Sequence, residues 1–421
     1  MGHDGTPDSA RIWARCEALA RLSEQADGLT RVFLSEQQRA ASDLVANWMR
    51  AAGMAVHIDP IGNVVGRYEG DRPGLPCLML GSHLDTVRDA GKYDGMLGVV
   101  CAIEAVDSLA RRGIRRPYAV EVVGFSDEEG VRFGATLLGS RAIAGNFGND
   151  LLDKTDAAGV TMRAALLHYG LDPERIGDAA RRPDEVLAYA ELHIEQGPVL
   201  EAEGLALGVV TAINGATRFR VSIDGLAGHA GTSPMTLRRD ALAAAAECVL
   251  AIERRARATP DLVATVGSIE ASPGAANVIP GRASFTIDIR SPRDADRLSA
   301  IADLRSELEA IAERRAVKLR MEQTHASNTA ACAGWLREQI GAAIEAVGGV
   351  RRELPSGAGH DGMALVGLTD IGMLFVRCRA GVSHNPAEAI DAADAFAGTR
   401  ALLHFVEHFE ADAAVAAMKK R

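Results

Sequence analysis

Imidazole and carboxylate side chains follow the predicted strands of this sequence at several places. His83 and Asp85 come directly after the apolar run 77–81, and Asp94 stands just before a predicted helix. Because one residue separates His83 from Asp85, both side chains can point to the same side of the strand end. Sheets of parallel strands bind ligands in the crevice outside the carboxyl ends of those strands. These positions therefore predict a polar site at one edge of a sheet.

An acidic run and two further histidines occupy similar positions. Asp127–Glu129 follows a second predicted strand at 119–125, His193 ends another strand, and His384 follows the apolar run 371–376. Neighbouring acids repel each other unless cations hold them. Each segment alone is more often a solvated turn or a polar strand end than a ligand, but together they favour a metal site. Imidazole with carboxylate suits zinc, manganese, cobalt or nickel better than calcium or magnesium.

The elements that would position these residues alternate between strand and helix. Strands at 77–81 and 119–125 flank a helix at 95–112, and a further strand is predicted at 187–194. After residue 328 the pattern resumes with the strand 371–376, between a helix at 331–347 and a last helix near 392–410. This order predicts an α/β protein with a mixed, mostly parallel sheet flanked by helices.

The segment 214–328 has a different order of elements. Its β-α-β-β-α-β order is the split βαβ arrangement of ferredoxin-like domains. The predicted strands are 217–223, 262–270, 282–290 and 317–323, and the predicted helices are 237–258 and 293–315. We therefore predict a first part of the catalytic domain at 1–213, an inserted α+β domain at 214–328, and the second part of the catalytic domain at 329–421.

Composition excludes several classes of protein. The 421 residues are 48% hydrophobic and 24% charged, values typical of a globular protein. The net charge of −10 argues against nucleic acid or an anionic membrane as the main partner. No apolar run is long enough to span a bilayer, and the first residues lack the basic and apolar regions of a secretory signal. The six scattered cysteines predict buried free thiols, so we expect a cytoplasmic location.

A series of motifs, in this order along the chain, resembles the hydantoinase/carbamoylase amidases. These include N-carbamoyl-L-amino-acid hydrolases, allantoate amidohydrolases and β-ureidopropionases, within the superfamily of dinuclear-zinc aminoacylases and carboxypeptidases. The motifs are Gly-Ser-His-Leu-Asp-Thr at 81–86, Asp-Gly at 94–95, Asp-Glu-Glu-Gly at 127–130, His-Ile-Glu-Gln-Gly-Pro at 193–198, Gly-His-Ala-Gly-Thr at 228–232, Asn-Val-Ile-Pro-Gly at 277–281, Ser-Gly-Ala-Gly-His-Asp at 356–361 and Ser-His-Asn-Pro-Ala-Glu at 383–388.

The resemblance implies two divalent ions per chain, zinc or alternatively manganese, cobalt or nickel. It implies that Asp94 bridges the ions, that His83 and His193 complete one site, and that Glu129 and His384 complete the other. A carboxylate mostly stands in the position of His193 in the peptidase relatives, so the histidine resembles the branch that cleaves ureido groups.

The resemblance also implies roles in catalysis. Glu128 would be the general base, taking a proton from water and delivering it to the leaving nitrogen. Asp85 would orient His83, and His229 would donate a hydrogen bond to the tetrahedral oxyanion.

Further residues would bind the substrate, a small ureido acid. Asn277 and Arg290 would hold its carboxylate, and Gln196 would contact its ureido end. The segment 357–361, with Gly357, Ala358 and His360, would line the pocket. The resemblance further implies a homodimer formed through 214–328, which would also close over the metals as a lid.

The expected reaction is therefore hydrolysis of an N-carbamoyl-L-amino acid or of allantoate, releasing carbon dioxide and ammonia. A dinuclear-metal aminoacylase or dipeptidase is the nearer alternative, against which His193 and the segment 357–361 argue. A non-catalytic binding paralogue would be expected to lack Glu128 or a metal ligand, and none is missing.

Two features leave alternatives open. Arg377 and Arg379, just before the last motif, would favour a more anionic substrate unless they are merely solvated. The sequence from His404 to His408 matches the inverted zincin pattern H-x-x-E-H, but it lies on the predicted last helix, and no residue after it offers a third ligand. We interpret this second feature as an exposed helix face.

Overall fold

The structure, a computed structural model, describes residues 6–419. Residues 1–5 and 420–421 lie outside this range. The prediction that the first residues form no secretory signal therefore lies partly outside the described residues. The chain forms two compact units. One combines the chain up to Thr211 with the chain from Ala331 onward, and the other is Ala212–Ala330. The sequence predicts the inserted domain at 214–328.

The strands are β1 (Ala55–Ile58), β2 (Val64–Tyr68), β3 (Cys77–His83), β4 (Ala119–Phe125), β5 (Val186–Ile194), β6 (Leu207–Ile213), β7 (Gly215–Asp224), β8 (Gly228–His229), β9 (Val263–Thr265), β10 (Ile269–Ser272), β11 (Val278–Ile279), β12 (Arg282–Ser291), β13 (Lys318–Ser327), β14 (Ala330–Ala331), β15 (Glu353–Ser356) and β16 (Ile371–Val376).

The helices are α1 (Ser9–Ala20), α2 (Glu36–Ala51), α3 (Met96–Arg111), α4 (Leu138–Ile143), α5 (Met162–Tyr169), α6 (Val199–Ala202), α7 (Ala241–Arg257), α8 (Asp294–Arg314), α9 (Gly334–Ala346), α10 (Gly362–Leu365), α11 (Ala392–His408) and α12 (Ala411–Met418). None of the helices between residues 6 and 419 is both long and apolar enough to cross a membrane.

The larger sheet has nine strands in the order β1-β2-β4-β3-β5-β16-β6-β14, with β15 paired to β6. Its central strands β4, β3, β5 and β16 are parallel, whereas β1, β2 and β6 run antiparallel to their neighbours. Every residue of the four central strands is buried, as expected for a parallel sheet covered on both faces. The predicted α/β class with a mixed sheet is confirmed, and its parallel part is confined to the centre.

Local sequence explains where the helices beside this sheet begin and end. Ser35 caps α2 by accepting a hydrogen bond from the backbone N–H of Gln38 at 3.1 Å. Helix α3 is apolar on nearly all sides and packs on the central strands, and Gly113 follows it with φ of 65°. All six cysteines are buried and free, as predicted.

The second unit has its own sheet and core. Its sheet order is β10-β12-β7-β13, with β9 paired to β12, and alternate residues of β12 face a core shared with α7 and α8. The predicted strand 262–270 is wrong in one respect, because it is interrupted between β9 and β10. There the Thr286 N–H still donates to the Ser268 carbonyl at 3.1 Å, but the Ser268 N–H donates to the Thr286 hydroxyl at 3.2 Å.

Candidate metal centre

Two buried histidines lie side by side at the carboxyl ends of neighbouring parallel strands. His83 is the last residue of β3, and His193 lies near the end of β5. Their rings are 5.8 Å apart between centroids and nearly parallel. Because β3 and β5 pair in parallel, the sheet itself places both imidazoles at one edge.

The tautomer of each imidazole follows from its hydrogen bond to a backbone carbonyl. Nδ1 of His83 lies 3.0 Å from the carbonyl oxygen of Asp85, and Nδ1 of His193 lies 2.9 Å from that of Ile194. A carbonyl oxygen can only accept, so both Nδ1 atoms carry the proton. In the neutral form of each ring, Nε2 is then the atom with the lone pair, which is how protein imidazoles are usually held for metal binding.

The Asp94 carboxylate lies between two groups of possible ligands. Its Oδ1 is 3.5 Å from Nε2 of His83 and 3.2 Å from Nε2 of His193. Its Oδ2 is 3.1 Å from Nε2 of His384, which in turn is 3.3 Å from Oε1 of Glu129. The two oxygens of one buried carboxylate thus face two different sets of nitrogen and oxygen donors.

The pKa values at this centre fit a site for cations. Burial acts to raise the pKa of Asp94, but hydrogen bonds to His193, His384 and His83 outweigh burial and hold it well below its usual range. Hydrogen bonds to Asp94 and Glu129 raise the pKa of His384 to about 10. The arrangement therefore stabilises positive charge among its nitrogens, and divalent ions bound to the same donors would supply that charge.

Asp85 does more than the sequence predicts. Its carbonyl oxygen holds His83, while its carboxylate Oδ1 is 3.6 Å from the same ring. The carboxylate oxygens instead accept the backbone N–H groups of Glu128 at 2.9 Å and Glu129 at 3.1 Å. Asp85 therefore joins the end of β3 to the acidic loop after β4.

Glu128 lies in that loop, half-buried beside the cluster. Burial, followed by the neighbouring Glu129 carboxylate, raises the pKa of Glu128 well above its usual range. A methyl group placed on Gly359 would lie 3.6 Å from Oε1 of Glu128, so the segment 357–361 runs next to this carboxylate. A carboxyl group with a raised pKa beside a metal centre is suited to proton transfer near neutral pH.

Gln196 also lies at the centre, in a left-handed conformation with φ of 55°. Its Nε2 donates to Oδ2 of Asp94 at 3.0 Å and to the Ser383 hydroxyl at 3.2 Å, while its Oε1 is buried without a protein partner. Ser383 and Glu388 belong to the motif at 383–388, but the sequence pattern indicates no role for either. Glu388 accepts the Ser383 hydroxyl at 2.8 Å.

His360 is buried behind His193 instead of facing an open pocket. Its Nε2 is 2.7 Å from the Ser356 hydroxyl, and its ring meets that of His193 edge-on at 4.5 Å. Burial, followed by His193, lowers the pKa of His360 well below its usual range, so its ring is neutral. Within the same segment Gly357 is exposed and Ala358 is half-buried.

Three of the predicted substrate-binding residues lie in the second unit. His229 on β8 pairs with Val278 on β11, and the Ala230 N–H donates to the Asn277 carbonyl at 2.9 Å, so His229 and Asn277 are held close together. Both side chains are exposed. The Gly231 N–H donates to Nδ1 of His229 at 3.0 Å, which leaves Nε2 of a neutral ring as the proton donor.

Arg290 lies on β12 of the second unit and is half-buried. Its Nε and Nη2 donate to the Asp288 carboxylate, both at 2.9 Å. Arg218 on the neighbouring β7 donates to the same carboxylate at 2.9 Å.

Arg377 and Arg379 each pair with an acid. Arg377 donates to Asp394 at 2.8 Å, and Arg379 donates to Asp391 at 3.1 Å. Because both arginines are paired with acids, the structure favours neither alternative, a more anionic substrate or merely solvated side chains.

Two other groups of possible ligands fit a metal less well. In the group Glu191, His193 and His360, the Glu191 carboxylate already accepts the hydroxyls of Ser82 at 2.7 Å and Tyr189 at 3.0 Å. His404 and His408 stack on α11 with centroids 4.0 Å apart, but Glu407 between them pairs with Arg112.

Comparison with known proteins identifies the class to which this fold and centre belong. The profile described as peptidase family M20/M25/M40 matches residues 79–408. The chain therefore belongs to this family, and within it the chain is a metal-dependent amidohydrolase of the hydantoinase/carbamoylase kind.

Similar proteins cover nearly the whole chain. An N-carbamoyl-L-amino acid amidohydrolase from Geobacillus stearothermophilus is 42% identical over 397 residues, 94% of this chain and 97% of that protein. Allantoate deiminase 1 from Glycine max is 41% identical over 94% of this chain and 88% of its own length. A solved hydantoinase/carbamoylase family amidase from Burkholderia multivorans is 34% identical, covers 95% of this chain and 97% of its own, and has a TM-score of 0.90.

Proposed function

We propose that this protein hydrolyses the ureido C–N bond of N-carbamoyl-L-amino acids or allantoate and releases carbon dioxide and ammonia. The observation that carries the proposal is the Asp94 carboxylate, whose two oxygens face separate groups of ligands. His83 and His193 would hold one divalent ion with Asp94, and Glu129 and His384 would hold the second. The names of the relatives, which act on N-carbamoyl amino acids and on allantoate, support this substrate class.

The proposed mechanism uses Glu128 for both proton transfers. When bound, the two ions supply electrophilic polarisation of the ureido carbonyl and lower the pKa of water. Glu128 removes a proton from the attacking water and delivers it to the leaving nitrogen, so the C–N bond breaks to give an amine and a carbamate. The carbamate then decomposes to carbon dioxide and ammonia. Asp85 keeps Glu128 in place through the backbone N–H of the loop.

The remaining predicted residues are proposed to bind the substrate. Nε2–H of His229 donates to the oxyanion, a role that suits the tautomer set by Gly231. Asn277 and Arg290 bind the substrate carboxylate, and the buried, unpartnered Oε1 of Gln196 accepts a ureido N–H. We also propose that the second unit joins two chains into a homodimer.

An assay of ammonia release tests the function directly. Metal-stripped protein is reloaded with manganese or zinc and supplied with N-carbamoyl-methionine, allantoate or β-ureidopropionate. N-acetyl-methionine and a dipeptide, scored by the release of free amino acid, test the aminoacylase and dipeptidase alternative. We expect metal-dependent turnover of at least one ureido acid, faster than that of either amide. Turnover of only the amides would overturn the proposal.

A further inference from the structure

His384 differs from the other imidazoles of the metal centre in how it is positioned. His83 and His193 belong to buried strands, whereas His384 lies in the loop between β16 and α11. It is exposed, and its backbone has the left-handed φ of 54°. Regular sheet pairing therefore does not fix the distance between His384 and Asp94, and some other contact must do so.

Gln196 and Ser383 contact the Asp94 carboxylate itself. The buried carboxylate of Glu388 holds the backbone of the Asp94 segment. Its Oε1 accepts the backbone N–H of Tyr93 at 2.8 Å and that of Asp94 at 3.2 Å. Its Oε2 accepts the hydroxyl of Ser383, the residue before His384, at 2.8 Å. One side chain thus connects the Asp94 segment to the His384 loop, across 294 residues of sequence.

The surroundings of Glu388 indicate that these hydrogen bonds, and not a salt bridge, stabilise its carboxylate. Glu388 is only 4% exposed, and between residues 6 and 419 no lysine or arginine forms a salt bridge with it. Burying a carboxylate without a cation is unfavourable unless its hydrogen bonds are satisfied. Gly91 leaves the space, because a Cβ there would fall 2.1 Å from Cδ of Glu388.

We propose that Glu388 is a positioning residue that sets the distance between Oδ2 of Asp94 and Nε2 of His384. Glu388 acts through backbone N–H groups and Ser383, and it touches neither ion nor substrate. The proposal rests on the proposed dinuclear centre. It predicts the larger effect on the ion of Glu129 and His384, because strands β3 and β5 hold His83 and His193, two of the three ligands of the other ion, independently of Glu388.

The test is a metal titration of the apo full-length chain, prepared with a chelator and titrated with zinc in a calorimeter. For Glu388→Ala we expect the ion held by His83, His193 and Asp94 to bind only slightly more weakly than in the wild type, because two of its three ligands lie on strands. The second ion should bind about 10- to 100-fold more weakly, the usual effect of losing a partner behind a metal ligand. Ser383→Ala removes the link to Glu388 together with the contacts of the hydroxyl with Oδ2 of Asp94 and Nε2 of Gln196, both at 3.2 Å, and it should also weaken the same ion.

Glu104→Ala is the control for loss of stability. Glu104 is also a fully buried carboxylate that accepts a backbone N–H, that of Asp8, but it lies on α3 and, unlike Glu388, forms salt bridges with Arg11 and Arg15. We expect this variant to unfold at a lower temperature and to bind both ions with wild-type affinity. If Glu104→Ala weakened zinc binding as much as Glu388→Ala does, a general loss of stability would be enough to explain the weaker binding.

The outcomes separate this inference from the proposed function. Wild-type binding of both ions by Glu388→Ala, or equal weakening of both, would overturn the positioning role. If Glu388→Ala does not fold, Ser383→Ala decides, and unchanged binding of the second ion there would overturn the role. Uptake of fewer than two ions by the wild-type chain would instead overturn the dinuclear centre.

Discussion

Gly95 shows how closely the backbone approaches a metal ligand. It follows Asp94 with φ of 72°, and a Cβ at this position would lie 2.5 Å from Cε1 of His83. A side chain would therefore both strain the backbone and displace the imidazole. Gly113, at the other end of α3, has φ of 65°, and a Cβ on it would meet no atom within 4 Å. Both glycines have a positive φ, but Gly95 is buried, has ψ of −54° and leaves no room for a Cβ, whereas Gly113 is exposed and leaves room for one.

We expect Gly95→Ala to lose the ion held by His83 and His193, because the new methyl group pushes His83 away from Asp94. Gly113→Ala should cost about 1–2 kcal/mol of stability through backbone strain and retain both ions. Metal content after dialysis, with thermal unfolding of both variants, checks this. Equal metal content in the two variants would show that the close approach of Gly95 to His83 is not needed for metal binding.

Glu128 and Glu129 are neighbours of the same residue type with different proposed roles. Glu128→Gln should retain both ions and lose about 10²–10⁴-fold in turnover, because the amide cannot accept a proton. Glu129→Gln should instead weaken the ion shared with His384. Metal analysis and turnover at saturating manganese distinguish the two variants. Near-full activity of Glu128→Gln would exclude Glu128 as the general base.

At the scale of elements, the sequence predicts strand ends well and side-chain partners poorly. The sequence predicts that His83 and His193 lie close together, because apolar runs mark their two strands and parallel strands end at the same edge of a sheet. The connection made by Glu388 could not be predicted, because no local pattern reports a hydrogen bond to backbone N–H groups 294 residues away. The burial of His360 behind His193 depends on tertiary packing in the same way.

Several elements differ from the prediction for identifiable reasons. Helix α1 is absent from the prediction, although Asp8 caps it and its apolar face carries Ile12, Cys16 and Leu19. At the split between β9 and β10, the Ser268 N–H bonds to a side chain on another strand, that of Thr286. Short elements and interruptions of this kind depend on contacts that a single stretch of sequence does not contain.

Phe285 tests whether the second unit has an independent core. Its ring is buried on β12 among residues of that unit. Phe285→Ala should lower the free energy of unfolding by about 3–5 kcal/mol, the usual cost of removing a buried phenylalanine ring. Zinc affinity at low temperature should not change, because all proposed metal ligands lie in the first unit. Val263→Ala, at a 53% exposed site of the same sheet, is the control and should change stability little.

At the scale of the whole molecule, β13 is the feature that bears on assembly. It ends the smaller sheet and is largely exposed along its length. Exposed edge strands can pair with another chain. If the proposed homodimer forms through this unit, light scattering at micromolar concentration should give about twice the chain mass of 44.4 kDa. A monomer mass would contradict the dimer.

Arg290 and Arg218 distinguish substrate recognition from structural support in the second unit. Both donate to the Asp288 carboxylate, from neighbouring strands, so removing either one takes a guanidinium from the same acid. If Arg290 binds the substrate carboxylate, Arg290→Ala should cost about 2–5 kcal/mol in kcat/KM on N-carbamoyl-methionine, the range for truncating a buried charged pair. Its loss on the neutral amide of that substrate should be much smaller, and Arg218→Ala should affect both compounds little. Equal losses for the two variants, or for the two compounds, would mean that Arg290 supports the sheet and does not recognise the carboxylate.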